Sequence, residues 1–230
     1  IAFVDNSVFD AAKRLGQVEH FKQQLVSITS HELRTPLSSL LAMCDLIGGG
    51  VFGTLTTSGK TTLHGARKTI ADLTAMITNL LDTEKINSGK MLVTKSEVEL
   101  DSILDDAAAN IKDLARMRRI EVRKDRSGLE AAADARRLEQ AQTAVLSEIT
   151  DQAPQGSTIA LESIKNGDAL ELRVTAPMTI LVGETNRRAR ERLAVDLSRL
   201  IAEQHGGTME ISSSERQSVF SIKLPSSNFK

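Results

Sequence analysis

The feature that most constrains this chain is a stretch of about forty residues, Val8 to Ile47, that holds a single proline, Pro36, and a single glycine, Gly16. A run this long without breakers reads as one helix, and Gly48-Gly49-Gly50 is a strong stop for it. After the loop VFGTLTTSG, a second helical stretch runs from about Thr62 to Asn87. There Leu63, Ile70, Leu73, Ile77, Leu80 and Leu81 recur at three- and four-residue steps, and Asn87-Ser88-Gly89 closes it. Two helices on a short loop make an antiparallel hairpin. A lone hairpin cannot bury apolar residues on both of its sides. Two copies can share one core as a four-helix bundle, so a homodimer is predicted.

From about Met91 the pattern changes. MLVTK reads as a strand, Leu100 to Arg116 as a helix, IEVRKD as a strand, and Arg136 to Thr150 as a helix capped by Asp134. STIALESIKN and DALELRVTA follow as strands about a Gly167-Asp168 turn. Leu193 to Gln204 is helical and stops at Gly206-Gly207, and TMEISSS with SVFSIKLP forms the last strand pair. The fold class is therefore α+β: a helical hairpin followed by an α/β sandwich of roughly 135 residues. Three parts are expected: a connector over 1–19, the hairpin over 20–90 and the sandwich over 91–230.

Composition removes several functions. Twenty-nine lysines and arginines nearly cancel 30 aspartates and glutamates, and aromatics are 3% with no Trp or Tyr. Nucleic-acid binding needs concentrated positive charge or stacking platforms, and neither is present. Cys44 is the one cysteine, which excludes an internal disulfide and a cysteine zinc cluster; among leucines it reads as a small core residue. His20, His64 and His205 have no metal-ligand spacing, so no metal site is expected. His205, at the end of its helix, reads as structural, favoured there by the helix dipole. The arginine runs RMRRIEVRKDR and NRRARER read first as solvated faces. No apolar run approaches the ~20 residues that span a bilayer. Opening on Ile1, the chain reads as a piece of a longer protein. This piece is expected in the cytoplasm without membrane contact of its own, and any membrane anchor of the full-length protein lies outside it.

The chemistry concentrates on Ser30-His31-Glu32-Leu33-Arg34-Thr35-Pro36-Leu37. On a helical wheel Leu33, Leu37, Leu40, Leu41, Cys44 and Ile47 share one face, and His31 projects ~150° from its centre with Thr35 only ~40° from His31. The imidazole is thus expected in solvent beside a carboxylate and one turn from a hydroxyl. A neutral exposed imidazole is a nucleophile, an adjacent carboxylate can hold its second nitrogen, and a hydroxyl can position water. Pro36 lacks the N–H that would bond the Glu32 carbonyl, so a kink or loosening is expected just past His31.

SHELRTPL, directly after FKQQLVSIT, resembles the phosphoacceptor box of the two-component sensor histidine kinases. NLLDTEKINSGKM is similar to that family's exit from the second helix, as are ADARRLEQ, PQGSTIAL, LSRLIAEQHGG and VFSIKLP to parts of its catalytic domain. The resemblance covers about residues 20–225. It implies a catalytic domain of the histidine-kinase ATPase type. It also implies that His31 is the phosphorylated residue, Glu32 the acid/base beside it, and Thr35 the residue that positions water during dephosphorylation of a response regulator. The implied partners are a second copy, a response-regulator receiver domain that supplies Mg²⁺, and a further kinase if this chain does not phosphorylate itself. The connector, by the same resemblance, joins an upstream sensory domain to the first helix.

The departures from the family pattern fall on the nucleotide site. Ala144 and Glu148 stand where its two asparagines are expected, with Asp151 and Gln152 at the usual basic and aromatic positions. VTAPMTILVG, with Ala176, Pro177 and Met178, stands where an Asp-x-Gly-x-Gly box with its adenine-reading aspartate is expected. ERLAVD puts Arg192 and Ala194 where the second glycine box belongs. Phosphates are held by glycine-turn N–H groups, helix N-termini and cations, and Glu148 with Asp151 would repel a triphosphate. The expected function is phosphoryl transfer through His31 to or from a receiver aspartate, or its dephosphorylation, with ATP binding lost and no cofactor. An active kinase using Mg-ATP through unusual contacts is the alternative. A non-enzymatic dimeric scaffold is a third.

Overall fold

In a computed structural model, residues 2–89, 91, 93–178 and 189–226 are described, and side chains within 1–12 and at several later positions up to Ser27 are not. The chain forms two compact units, Ile1–Ser88 and Gly89–Lys230.

The first unit is a pair of helices, α1 (Ala2–Gly48) and α2 (Thr57–Asn87). Lys22 Nζ meets Glu84 Oε1 at 3.1 Å and Arg67 Nη2 meets Asp45 Oδ1 at 2.7 Å. The early part of α1 thus lies beside the end of α2 and its end beside the start of α2, which makes the pair antiparallel. α1 ends in a Schellman motif: Val51 N–H donates to the Leu46 carbonyl and Gly50 N–H to that of Ile47, both at 3.2 Å. The motif needs a left-handed residue, and Gly50 supplies it at φ +80. α2 begins five residues earlier than the apolar spacing predicts. Its start is fixed by a cap, Thr56 Oγ1 accepting from Gly59 N–H at 3.1 Å, which carries no hydrophobic signal.

The second unit is a five-stranded sheet covered by helices. Its elements are β1 (Ser96–Glu99), α3 (Leu100–Asn110), α4 (Lys112–Arg118), β2 (Glu121–Asp125), β3 (Glu130–Ala133), α5 (Ala135–Gln152), β4 (Thr158–Asn166), β5 (Ala169–Ala176), α6 (Ala189–Gln204), β6 (Thr208–Ser213) and β7 (Ser218–Pro225). The sheet order is β2-β4-β5-β7-β6, parallel only between β2 and β4, and β1 pairs with β3 as a separate two-stranded ribbon. Alternate residues of the central strands, Ile159 and Leu161, Leu170, Leu172 and Val174, Phe220 and Ile222, are buried. The core is completed by Leu100, Ile103 and Leu104 of α3, Leu138, Leu146 and Ile149 of α5, and Leu197 and Ile201 of α6.

Two local expectations are corrected. The strand expected over MLVTK is not formed at Met91 or over Val93–Lys95: Thr94 N–H bonds the Asp134 side chain instead of a neighbouring strand, and the ladder begins at Ser96. Its partner EAAA lacks β-forming residues and is a strand through pairing alone. The helix expected over Leu100–Arg116 is two, broken at Ile111 (φ −99, ψ 3), where Asn110 Nδ2 reaches Glu139 Oε1 of α5 at 2.8 Å. Pro36 lies inside α1, which continues to Gly48, so the expected loosening does not end the helix. On either side of it hydroxyls bond back to the helix, Thr35 Oγ1 to the His31 carbonyl at 3.5 Å and Ser39 Oγ to the Thr35 carbonyl at 3.1 Å.

Candidate functional site

α1 carries His31 into solvent. Its side chain is 77% exposed and that of Glu32 75%. Nδ1 stands 3.4 Å from Glu32 Oε1, at the long limit of a hydrogen bond, and among the described residues no other group bonds the ring. With the proton on Nδ1 facing the carboxylate, the Nε2 lone pair is left open to a partner. The preceding Ser30 is buried and Cys44 is buried, while Leu37, Leu41 and Ile47 are half-buried, so the inner side of α1 is anchored. Thr35 is exposed one turn on, but its hydroxyl is turned onto the His31 carbonyl rather than presented to the ring. To position a water it must first rotate away from that 3.5 Å contact.

The expected nucleotide positions lie apart from His31 in sequence and in the second compact unit. Ala144 and Glu148 are half-buried on α5. Asp151 is not an unscreened charge, as the sequence reading has it. Arg118 Nη2 bonds its Oδ1 at 2.9 Å and its backbone carbonyl as well, so the guanidinium closes the end of α5. Ala176 is fully buried at the end of β5, opposite Ser218 of β7, and Ala194 is buried in α6. A methyl group at Ala176 offers no acceptor to a base. Residues 179–188 and the side chain of Arg192 lie outside the described residues, as does the run NRRARER for its side chains. In the other basic run Arg116 pairs with Asp113 and Arg123 with Asp125, while Lys124 and Arg126 both pair with Asp105, so most of its charge is matched within the unit.

The sequence reading missed two buried carboxylates. Asp101, in the first turn of α3, accepts from the N–H groups of Ser127 at 2.9 Å and Gly128 at 2.8 Å, and from Ser163 Oγ. Burial pushes its pKa up, but those bonds and the nearby Arg126 outweigh it and hold it below the usual 3.8. Glu171 of β5 accepts from Asn166 Nδ2, Arg173 Nη2 and Ser221 Oγ at 2.9–3.0 Å, and for the same reason is held below the usual 4.5 against its burial. The strand alternation that places Glu171 and Arg173 on one face was the available signal. His205 is structural, as expected, but for another reason than the helix dipole. It is buried and accepts from Asp134 N–H, and its pKa is pushed below 6.5 by burial and by Lys95.

The comparisons agree with this arrangement. The model of the His Kinase A (phospho-acceptor) domain matches residues 21–89. An uncharacterized sensor-like histidine kinase of Rhizobium meliloti is 25% identical over 228 residues, covering 89% of this chain and 43% of that protein. The sensor-like histidine kinase SenX3 of Mycobacterium tuberculosis is 23% identical over 230 residues, covering 91% of this chain and 55% of its own. The chain thus spans about half the length of these curated relatives. Among solved structures, the Acinetobacter baumannii histidine kinase AdeS superposes with a TM-score of 0.63 at 18% identity, over 86% of this chain and 98% of that one. Full-length ShkA, solved with AMPPNP, gives 0.64 at 17% identity, over 88% of this chain and 45% of its own. These two show the fold: a helical hairpin followed by the α/β sheet domain of histidine kinases. No helix among the described residues is long and apolar enough to cross a membrane. Residues 21–89 thus match the phosphoacceptor domain of histidine kinases, and with the sheet domain after it the chain is similar in sequence and fold to the two-component sensor histidine kinases.

Proposed function

We propose that this chain moves a phosphoryl group through His31, to or from the aspartate of a response-regulator receiver domain, and that its nucleotide site is degenerate. The observation that carries the reading is the exposed imidazole whose Nδ1 faces Glu32 at 3.4 Å. Glu32 holds the Nδ1 proton, which leaves the Nε2 lone pair to attack phosphorus. A P–N bond forms at Nε2 as the P–O bond to the receiver aspartate breaks, and the reverse returns it. In the hydrolytic direction Thr35 would orient water once its hydroxyl leaves the His31 carbonyl. Degeneracy of the nucleotide site is supported by Ala144 and Ala176, which have lost their polar groups, and by the Arg118–Asp151 pair at the end of α5. A homodimer is supported by the apolar residues α1 leaves exposed, Val18, Phe21, Leu25, Ile28, Leu33 and Leu40. Two copies facing along them would bury that stripe.

The test is transfer of labelled phosphate from a phosphorylated receiver domain to the chain, with His31→Ala in parallel. Label that depends on His31 supports the reading, and label that persists in the variant sinks it. A second reading, an active ATP-dependent kinase, is favoured by the resemblance in fold to ShkA, whose structure holds AMPPNP. Calorimetry with Mg-ATP separates the two. Micromolar binding, about −8 kcal/mol, together with label from ATP on His31, establishes the kinase.

A further inference from the structure

The segment that enters the C-terminal unit is fastened at one cluster. Thr94 N–H donates to Asp134 Oδ2 at 3.1 Å, and Lys95 Nζ donates to the His205 carbonyl at 2.9 Å. Asp134 also caps α5, its Oδ1 accepting from Arg137 N–H at 3.1 Å, and its own N–H donates to His205 Nε2 at 3.0 Å. The other ring nitrogen, Nδ1, donates to the Ile201 carbonyl at 2.7 Å. With one nitrogen committed as donor and the other as acceptor, the ring is fixed as the neutral Nδ1–H tautomer. It is 1% exposed, so water cannot replace either bond.

We propose that His205 is a proton-operated latch: neutral, it holds residues 93–95 against the start of α5 through Asp134, and protonated, it releases them. A proton on Nε2 turns the acceptor into a donor that faces the Asp134 N–H, and two donors cannot share a bond. The charged groups that act on the ring among the described residues are Lys95, from the segment itself, and Asp134, from the cap of α5. Lys95 opposes the new charge. Asp134 welcomes it, but its carboxylate already holds Thr94 and Arg137. An imidazolium that takes the carboxylate takes it from Thr94. Every route to the charged ring therefore undoes the cluster. The closed form resists protonation that the opened segment, with an ordinary histidine near 6.5, accepts. Opening then takes up a proton. From pH 7.5 to 5.5 the opening constant should rise, by about tenfold at most.

Amide hydrogen exchange on the whole chain tests this, corrected for intrinsic exchange. The opening of the Thr94 and Asp134 amides should rise over that interval in the wild type, by about tenfold at most. It should stay flat in His205→Gln, whose carbonyl can accept from Asp134 but does not titrate. A flat wild type, or an equal rise in both proteins, overturns the latch. Should the Gln variant not fold, the ring of wild-type His205 is followed directly by NMR. A midpoint below 6.5, shared with shifts of the Thr94 and Asp134 amides, supports the latch. A midpoint at or above 6.5, or amides that do not follow the ring, overturns it.

Discussion

His31 and Glu32 of the hairpin and three buried groups of the sheet domain are held in opposite ways. In the hairpin, His31 and Glu32 stand in solvent on a single long contact. In the sheet domain, Asp101, Glu171 and His205 are 4%, 1% and 1% exposed, and their hydrogen-bonding atoms are engaged by named donors or acceptors. A group whose bonds are all made inside the protein stabilises a conformation and has nothing left to offer a substrate. One left open by its helix contributes little to folding and keeps its lone pair for chemistry. The difference supports the proposed site without reference to any motif.

The largest effect expected from that contrast is on activity alone. His31→Ala should abolish phosphoryl transfer while leaving unfolding free energy within about 0.5 kcal/mol, because an exposed side chain with one long bond contributes little to folding. Paired transfer assays and denaturant melts check it, and a variant that melts much earlier would mean His31 is part of the packing. Next comes Leu172→Ala in the centre of the sheet, where the side chain is fully buried. It should cost about 2–5 kcal/mol in the melt of the sheet domain.

The same change on the hairpin sharpens the comparison. Leu40 is 47% exposed in one chain, so in a lone hairpin Leu40→Ala should cost less than about 0.5 kcal/mol. In the proposed dimer the leucine faces a partner. The expected loss is then about 2 kcal/mol, with a melting temperature that rises with protein concentration. A melt that is insensitive both to the substitution and to concentration would remove the dimer.

How much of this was legible in the sequence follows from the same division. The hairpin, the sheet strands and the exposure of His31 were readable, because apolar periodicity and the rarity of breakers dictate them. The proposed phosphoacceptor position rests on a contiguous eight-residue box, a local signal of the same kind. What escaped was set by contacts distant in sequence. β3 is alanine-rich and exists only because β1 pairs with it. The Asp101 cluster joins residues of α3, the loop before β3 and β4. No local pattern announces that Thr35 spends its hydroxyl on the helix, nor that Asp151 is matched by Arg118.

Acid gives the next test. Asp101 and Glu171 have folded pKa values below their ordinary 3.8 and 4.5, so the unfolded chain binds their protons more readily. The stability they contribute is fully present above those ordinary values and drains away as pH falls through them toward the folded ones. The melt of the sheet domain should therefore weaken first below about pH 6.5, where an unfolded His205 takes up a proton that the folded one resists, and further below about pH 4.5 as these carboxylates titrate. Asp101→Asn keeps the shape but forfeits the charge that three donors address, and one amide N–H replaces an acceptor. At pH 7 it should cost about 1–3 kcal/mol and flatten the acid slope. A variant as acid-sensitive as the wild type would show that other groups carry the slope.

The smallest predicted effect is a gain, and it compares how helices end. α1 and α6 both finish through a left-handed glycine, Gly50 at φ +80 and Gly206 at φ +77. α4 ends in the same pattern, with Ile120 N–H donating to the Ala115 carbonyl at 2.8 Å and Arg119 N–H to that of Arg116 at 3.2 Å. Its left-handed residue, however, is Arg119 at φ 56. An L-residue there costs about 1 kcal/mol through the Cβ, while glycine loses about half of that advantage to a freer unfolded chain. Arg119 is exposed, and the bond its backbone makes, accepting from Gly156 N–H at 3.1 Å, does not depend on the side chain. Arg119→Gly should therefore raise the stability of the sheet domain by about 0.5 kcal/mol, read as a later denaturant midpoint at unchanged slope. The reverse change at the corresponding end of α6, Gly206→Ala, should lower it by about 1 kcal/mol. If Arg119→Gly instead destabilises, the guanidinium makes a contribution on the surface that outweighs the backbone, and helix ends in this unit are then governed by charge rather than by φ.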